Sequence, residues 1–338
     1  MKNLIKKMAI ATIALTMFSC SDDDNNSNQP QTIADIAIAG ADFSTLERAL
    51  VRTNLVGTLD GTGSFTVFAP TNAAFETFFD LLGPTVTVEN VDVNVLKAIL
   101  LNHVIADEIT FAEVPTAGYA ATLSTLNSAA NGPGISMFLQ KSGTTITING
   151  GVDSKGATTT QATADVDASN GVIHIVNRVI QIPTLVDHVV DNPEFDTLQA
   201  VVTSTSGTFG NQSAVLTALN GLTAAAPATL FAPNNAAFTA ATTGTGFLTG
   251  TAVTAANVTK VLQYHVTTAG NVRSSQLTNN QVVPMFTSPV QNVTVILGTG
   301  TVDIRDTANN LSRVFQADIQ ASNGVIHGVN RVLQPAFN

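Results

Sequence analysis

The chain has one cysteine, no tryptophan and two tyrosines in 338 residues. A lone Cys20 excludes an intramolecular disulfide and any metal site built on several thiolates. Aromatics make up only 6% of the chain, which leaves little material for broad stacking surfaces. Charge is sparse as well: 11% of residues are charged, with 14 Lys and Arg against 24 Asp and Glu and a net charge of −10. No basic run follows the N-terminus, so nucleic acid is not an expected partner. The apolar run Met8–Phe18 is 11 residues long, too short to cross a bilayer as a helix. HExxH, GxSxG, P-loop and Rossmann fingerprints are missing, and Asp22–Asp24 lacks the Gly and distal Glu of an EF-hand. The expectation is a chain that is not an enzyme and carries no metal or cofactor.

What the chain does contain is a duplication. Residues Ala164–Ile180 and Ala317–Leu333 agree at 13 of 17 positions, at an offset of 153. Phe68–Phe75 pairs with Phe231–Phe238, and Thr32–Leu46 with Thr184–Leu198, in the same order. A period near 150 residues is one whole domain, far longer than a solenoid unit. The expected domains are 32–181 and 184–338, with Gln181–Thr184 as the seam.

Each copy begins with helical signals. Thr32 and Asp35 form a T-x-x-D start, and Ser44 or Thr45 is placed to cap a second helix. Phe65–Phe68 alternates like a strand, and Pro70 stops it. Thr71 or Asn72 then caps a helix carrying Phe75, Phe78, Phe79 and Leu82 at core spacing. Val95, Leu96, Ile99, Leu100 and His103 form a further helical face. Strand patterns follow at Ile135–Gln140, Thr144–Asn149, Thr163–Asp167 and Val172–Ile180. Asn170-Gly171 and Asn323-Gly324 read as hairpin turns. Helices first and strands second predict an α+β fold rather than a parallel sheet.

Four of the five histidines recur as equivalent pairs, His103 with His174 and His265 with His327. The predicted role is structural: half-buried, hydrogen-bonded rings tying the helical layer to the final strand. Arg178 and Arg331 are placed to pair with Asp165 and Asp318 across their hairpins.

These blocks resemble the fasciclin (FAS1) family over nearly all of residues 32–335. Phe65–Phe75 and Thr229–Phe238 match its strand-to-helix motif, and Asn170–Ile180 and Asn323–Leu333 its C-terminal motif. Tyr264-His265 matches the family's Tyr-His pair, while the first copy departs from it with Asn102-His103. The resemblance implies two tandem domains, each a β-wedge of about seven strands packed with several helices. It implies an adhesion or matrix function with no shared catalytic constellation.

The N-terminus adds an address. Lys2, Lys6 and Lys7 precede the apolar run, and Ser19-Cys20 ends it, resembling a bacterial lipoprotein signal over residues 1–19. Met17-Phe18 departs from the usual lipobox. Lipidation at Cys20 would hold the chain at a membrane. Ser21–Asp24 resembles an acidic surface-export signal and opens a polar tether over 20–31. The expected location is the outer membrane, exposed on the cell surface. The expected function is a non-catalytic adhesion or matrix-interaction lipoprotein with a matrix protein or polysaccharide as partner. The alternative is a surface glycan-binding lipoprotein assisting polysaccharide capture.

Overall fold

Thr32 starts the first helix by exchanging bonds with Asp35. The Asp35 amide donates to Thr32 Oγ1 (3.2 Å), and the Thr32 amide donates to Asp35 Oδ2 (2.9 Å). The computed structural model describes residues 30–125, 134–250 and 253–337. From Gln31 onward the chain packs as one unit. The lipidation and export expectations at Cys20–Asp24 lie outside the described residues.

The first repeat runs through α1 (Ile33–Ala39), α2 (Ser44–Arg52), α3 (Val56–Asp60), β1 (Phe65–Pro70), α4 (Asn72–Leu82) and α5 (Val93–Leu101). Strands β2 (Val104–Ile105), β3 (Ala117–Ala121), β4 (Ser136–Ser142), β5 (Thr145–Ile148), β6 (Ala157–Thr160), β7 (Val166–Ala168) and β8 (Gly171–Val176) follow. The second repeat has α6 (Leu185–Asp191), α7 (Asp196–Val202), α8 (Ser213–Asn220), β9 (Ala228–Pro233), α9 (Asn235–Thr242) and α10 (Ala255–Gln263). It ends with β10 (Val266–Thr267), β11 (Val282–Pro284), β12 (Asn292–Gly298), β13 (Thr301–Arg305), β14 (Leu311–Ala321) and β15 (Gly324–Val329).

The mixed helix and strand content agrees with the expected fold class, but one pairing differs. The first strand of each repeat lies parallel to its last: Phe65 is in register with Gly171 in β1–β8, and Ala228 with Gly324 in β9–β15. A whole domain separates these strands in sequence, ample chain for the crossover a parallel pair requires. The strand count also differs between copies. The first has two four-stranded sheets, ordered β2-β1-β8-β7 and β3-β4-β5-β6. In the second, the single long β14 pairs with both β13 and β15, so one seven-stranded sheet results.

Each repeat has an apolar layer between sheet and helices. Phe75, Leu96 and Leu50 lie in the first, and Phe195, Phe238 and Leu262 in the second. A second layer holds Phe68, Met137 and Ile146 in the first repeat, and Phe231, Val295 and Ile304 in the second. Each fully buried side chain of this size contributes about 1.5–3 kcal/mol. Two residues expected on core faces lie outside: Val95 is 49% exposed and Leu82 48%. Val95 opens the turn next to Asp92, and Leu82 is the last residue of α4, where the apolar stripe has rotated to solvent.

The strand-to-helix motif divides its work. Thr71 and Asn234 cap their own helices, accepting from Ala74 N (3.3 Å) and Ala237 N (2.9 Å). Asn72 and Asn235 instead reach back to α2 and α7, where Thr45 N and Thr197 N each donate to an Asn Oδ1 at 2.9 Å. The start of α2 is therefore held from across the fold, with no cap from Ser44 or Thr45.

Candidate functional site

Polar residues shared by the two copies converge on the backbone. His103 and His265 sit at the ends of α5 and α10, each 2% exposed. His103 Nδ1 lies 2.8 Å from Ile99 O, and the Ile180 amide donates to Nε2 at 2.9 Å. In the second copy the distances are 2.7 Å to Val261 O and 2.8 Å from the Leu333 amide. An amide donor at Nε2 fixes the proton on Nδ1, so both rings are neutral. Burial pushes both imidazoles down to about 4.

His174 and His327 use the opposite tautomer. Nε2–H donates to Ile109 O (2.8 Å) or Val272 O (2.9 Å), and the amide of Asp165 or Asp318 donates to Nδ1 at 3.3 Å. Burial lowers the pKa of both. The four rings are fully rather than half buried, and both nitrogens of each are engaged, which leaves none poised as a proton shuttle. Among the described residues no three His, Cys, Asp or Glu side chains come together in a way that could hold a metal ion.

The asparagines of the C-terminal motif act as clamps. Asn170 Oδ1 accepts from Ile33 N (3.0 Å), and its Nδ2 donates to Leu59 O and Gly61 O. Asn323 Oδ1 accepts from Leu185 N at 2.8 Å. The hairpin loops are Ser169-Asn170 and Ser322-Asn323, one residue earlier than expected, because Gly171 and Gly324 already pair in their strands. Both glycines have positive φ, 143° and 158°. A Cβ at Gly171 would lie 2.0 Å from Phe65 O, and one at Gly324 2.1 Å from Ala228 O. The parallel neighbour strand leaves no room for a side chain.

Tyr264 is fully buried; its hydroxyl donates to Asn292 O (2.7 Å) and accepts from Thr307 N (3.1 Å). Burial pushes its phenol up to about 12. Asn102 replaces it in the first repeat with a different set of partners. Its Nδ2 reaches Ile180 O and Gln181 O, and Oδ1 accepts from Thr122 Oγ1.

The expected Arg–Asp pairs do not form. Arg178 donates to Val152 O and Arg331 to Asn310 Oδ1. Asp165 and Asp318 have positive φ and turn their carboxylates to the Phe111 and Ser274 amides, at 2.7 and 2.8 Å. Asp318 also takes the Ser274 hydroxyl on its second oxygen, so both carboxylates are committed to neighbouring loops rather than to the arginines.

A polar seam that the motifs did not mark joins the repeats. Lys155 Nζ reaches Asp187 Oδ2 (2.9 Å), the same oxygen that closes the Thr184 capping box. Ser154 Oγ donates to Asp191 Oδ1 (2.6 Å), and the Gln320 amide donates to Ser136 Oγ (2.9 Å). Asn192 Nδ2 donates to Tyr119 OH (3.2 Å), whose ring meets His188 edge-on at 5.5 Å. Gly150, at φ 70°, passes so close that a Cβ would lie 2.3 Å from Asp191 Oδ1. Burial pushes Asp191 up to about 6 and His188 down to about 4. The repeat itself carries the signal for this seam: His188, Asp191 and Asn192 stand where the first copy has Ile36, Ala39 and Gly40. Polar residues replacing apolar and small ones on an equivalent helix mark the face that docks.

The Fasciclin domain model matches residues 41–183 and 201–335. Protein sll1483 of Synechocystis sp. is 33% identical over 180 residues, which span 52% of this chain and 87% of that protein. An uncharacterized Synechocystis protein, sll1735, is 34% identical over 148 residues, 44% of this chain and 96% of its own length. Among solved structures, the FAS1 domain pair from the insect cell adhesion molecule fasciclin I superposes with a TM-score of 0.50. That match covers 86% of this chain and 97% of the other at 18% identity, a likeness of fold.

Proposed function

The chain belongs to the Fasciclin domain family, and from that premise we propose that it is a non-catalytic cell-surface adhesion or matrix-interaction protein. One observation carries the reading: the histidines common to both copies, and the asparagines and glycines of the two hairpins, are used up on the fold. His103, His174, His265 and His327 bond backbone, Asn170 and Asn323 clamp helices, and Gly171 and Gly324 admit a neighbour strand. A duplicated catalytic site would instead leave a shared nucleophile, acid or base free in a cleft. The chemistry is therefore that of a scaffold presenting surfaces, and the seam between repeats presents two of them in one arrangement.

Cys20 supplies the attachment in this reading. Signal cleavage before it and acylation of its sulfur would tie the pair to the outer membrane, with 20–31 as tether and the domain boundary within Gln181–Thr184. Intact mass of membrane-extracted protein tests this: loss of residues 1–19 plus a lipid increment is expected, and an unmodified Cys20 refutes it. Capture of polysaccharide for uptake is the second reading. A deletion strain separates the two. Lost attachment with normal growth on polysaccharide supports adhesion, and the reverse pattern supports capture.

A further inference from the structure

Beside the end of the second repeat lies a cleft of about 440 Å³. Its volume falls in the range of small-molecule sites. Ala240 and Ala241 of α9 and Phe247 form its apolar side, and Asn330, Arg331 and Gln334 its polar side. Phe247 continues into Phe337, ring centroids 6.2 Å apart and tilted by 33°, with Phe337 37% exposed.

The polar side is rich in donors. The Arg331 guanidinium makes one hydrogen bond among the described residues, Nη2 to Asn310 Oδ1 at 3.1 Å, and no ion pair. Asn330 Oδ1 accepts from Arg313 N (2.8 Å), and Gln334 Oε1 from Asn310 Nδ2 (3.4 Å). The amide NH2 groups of both residues are without partners among the described residues. Asp306 is the nearby acid, and its carboxylate is occupied: Oδ1 accepts from Ala308 N and Asn310 N, and Oδ2 from Gln334 N and Asn310 Nδ2. A guanidinium and two amides beside an apolar aromatic wall suit a ligand that pairs a carboxylate and clustered oxygens with a C–H face.

We propose that this cleft binds uronic-acid units of an acidic polysaccharide, with Arg331 taking the carboxylate, Asn330 and Gln334 the hydroxyl oxygens, and Phe247 the sugar's apolar face. The first repeat lacks the same arrangement. Phe78, buried in its core, stands where the second has Ala241, and Arg178 is turned to a backbone carbonyl. The site belongs to one copy, so the duplication provides an internal control. Its biological meaning rests on the matrix-interaction reading, but the binding itself does not.

Calorimetric titration of the full chain with tetragalacturonate, and with its carboxyl-reduced tetrasaccharide, tests the proposal. Salt near 0.15 M shortens the reach of the chain's net negative charge to about 8 Å. Tetragalacturonate is expected to bind at least tenfold more tightly than the reduced sugar. Arg331→Gln should weaken it at least tenfold, and Ala240→Trp, at an exposed position on the lip, should abolish it. Both variants are expected to melt like the wild type. No binding of tetragalacturonate, equal binding of the reduced sugar, or wild-type binding by both variants would overturn the proposal. If the probe binds as expected while a deletion strain attaches normally, the site stands and the adhesion reading falls.

Discussion

Mild acid should unfold this protein through its buried histidines. His103, His188 and His265 sit at about 4, against an ordinary value of 6.5, because burial disfavours the charged ring. The unfolded chain thus binds more protons than the folded one between pH 4 and 6.5, so stability falls as pH drops through that window. At pH 5 the solution is 1.5 units below the ordinary imidazole value of 6.5. At about 1.4 kcal/mol per unit of pH, this costs about 2 kcal/mol per ring and about 6 kcal/mol for three. His174 and His327 act in the same direction. Asp191 opposes them: its raised value adds stability at low pH that is lost as pH rises through about 6. One carboxylate against five rings leaves a net loss, comparable with the whole stability of an ordinary domain at about 5–15 kcal/mol. Urea melts at pH 7 and pH 5 measure it, and a sharp fall in the midpoint is expected. His265→Phe should lower stability at pH 7 by about 2 kcal/mol, since Val261 O and Leu333 N lose their partner. It should also flatten the pH dependence, because one titrating ring is gone. A midpoint that is equal or higher at pH 5, or a slope unchanged by His265→Phe, refutes the reasoning.

Other expectations follow from the same geometry. Gly171→Val forces a β-branched residue to φ 143° with its Cβ 2.0 Å from Phe65 O, and should cost more than the roughly 1–3 kcal/mol of backbone strain alone; thermal melts read it. Tyr264→Phe removes a hydroxyl joining Asn292 O to Thr307 N and should cost about 1–2 kcal/mol in urea melts, with no change in metal content. Residues 32–182 and 183–338 expressed separately should each melt cooperatively, but below the joined chain, since His188, Asp191 and Asn192 lose their seam partners. Fragments as stable as the intact protein would mean that the seam contributes nothing.

The parts of the fold that were legible in the sequence are local or duplicated. The Thr32–Asp35 box lies within one turn of helix, and its closure needs no distant partner. The hairpin blocks were visible because two copies repeat them. Long-range contacts were hidden. Asn170 reads as a turn residue, yet its main partner, Ile33 N, lies 137 residues away. Asn72 reads as a cap for its own helix, yet it caps the start of α2, 27 residues earlier. Arg178 and Asp165 look like a pair on opposed strands, but the left-handed backbone at Asp165 swings its carboxylate to another loop. The seam went unmarked because His188, Asp191 and Asn192 are positions inside the matched Thr184–Leu198 block at which the copies differ. His188 and Asn192 stand where the first copy has Ile36 and Gly40, on the helix that meets the other repeat.

Attachment of living cells tests the central claim most directly. A strain lacking the protein is complemented with the wild-type chain or with Cys20→Ala, and cells retained on a matrix-coated surface under flow are counted. The wild type is predicted to restore attachment, while Cys20→Ala, produced at equal level, leaves it lost. Equal attachment by the deletion strain and its parent, or full rescue by the unanchored variant, would contradict the account.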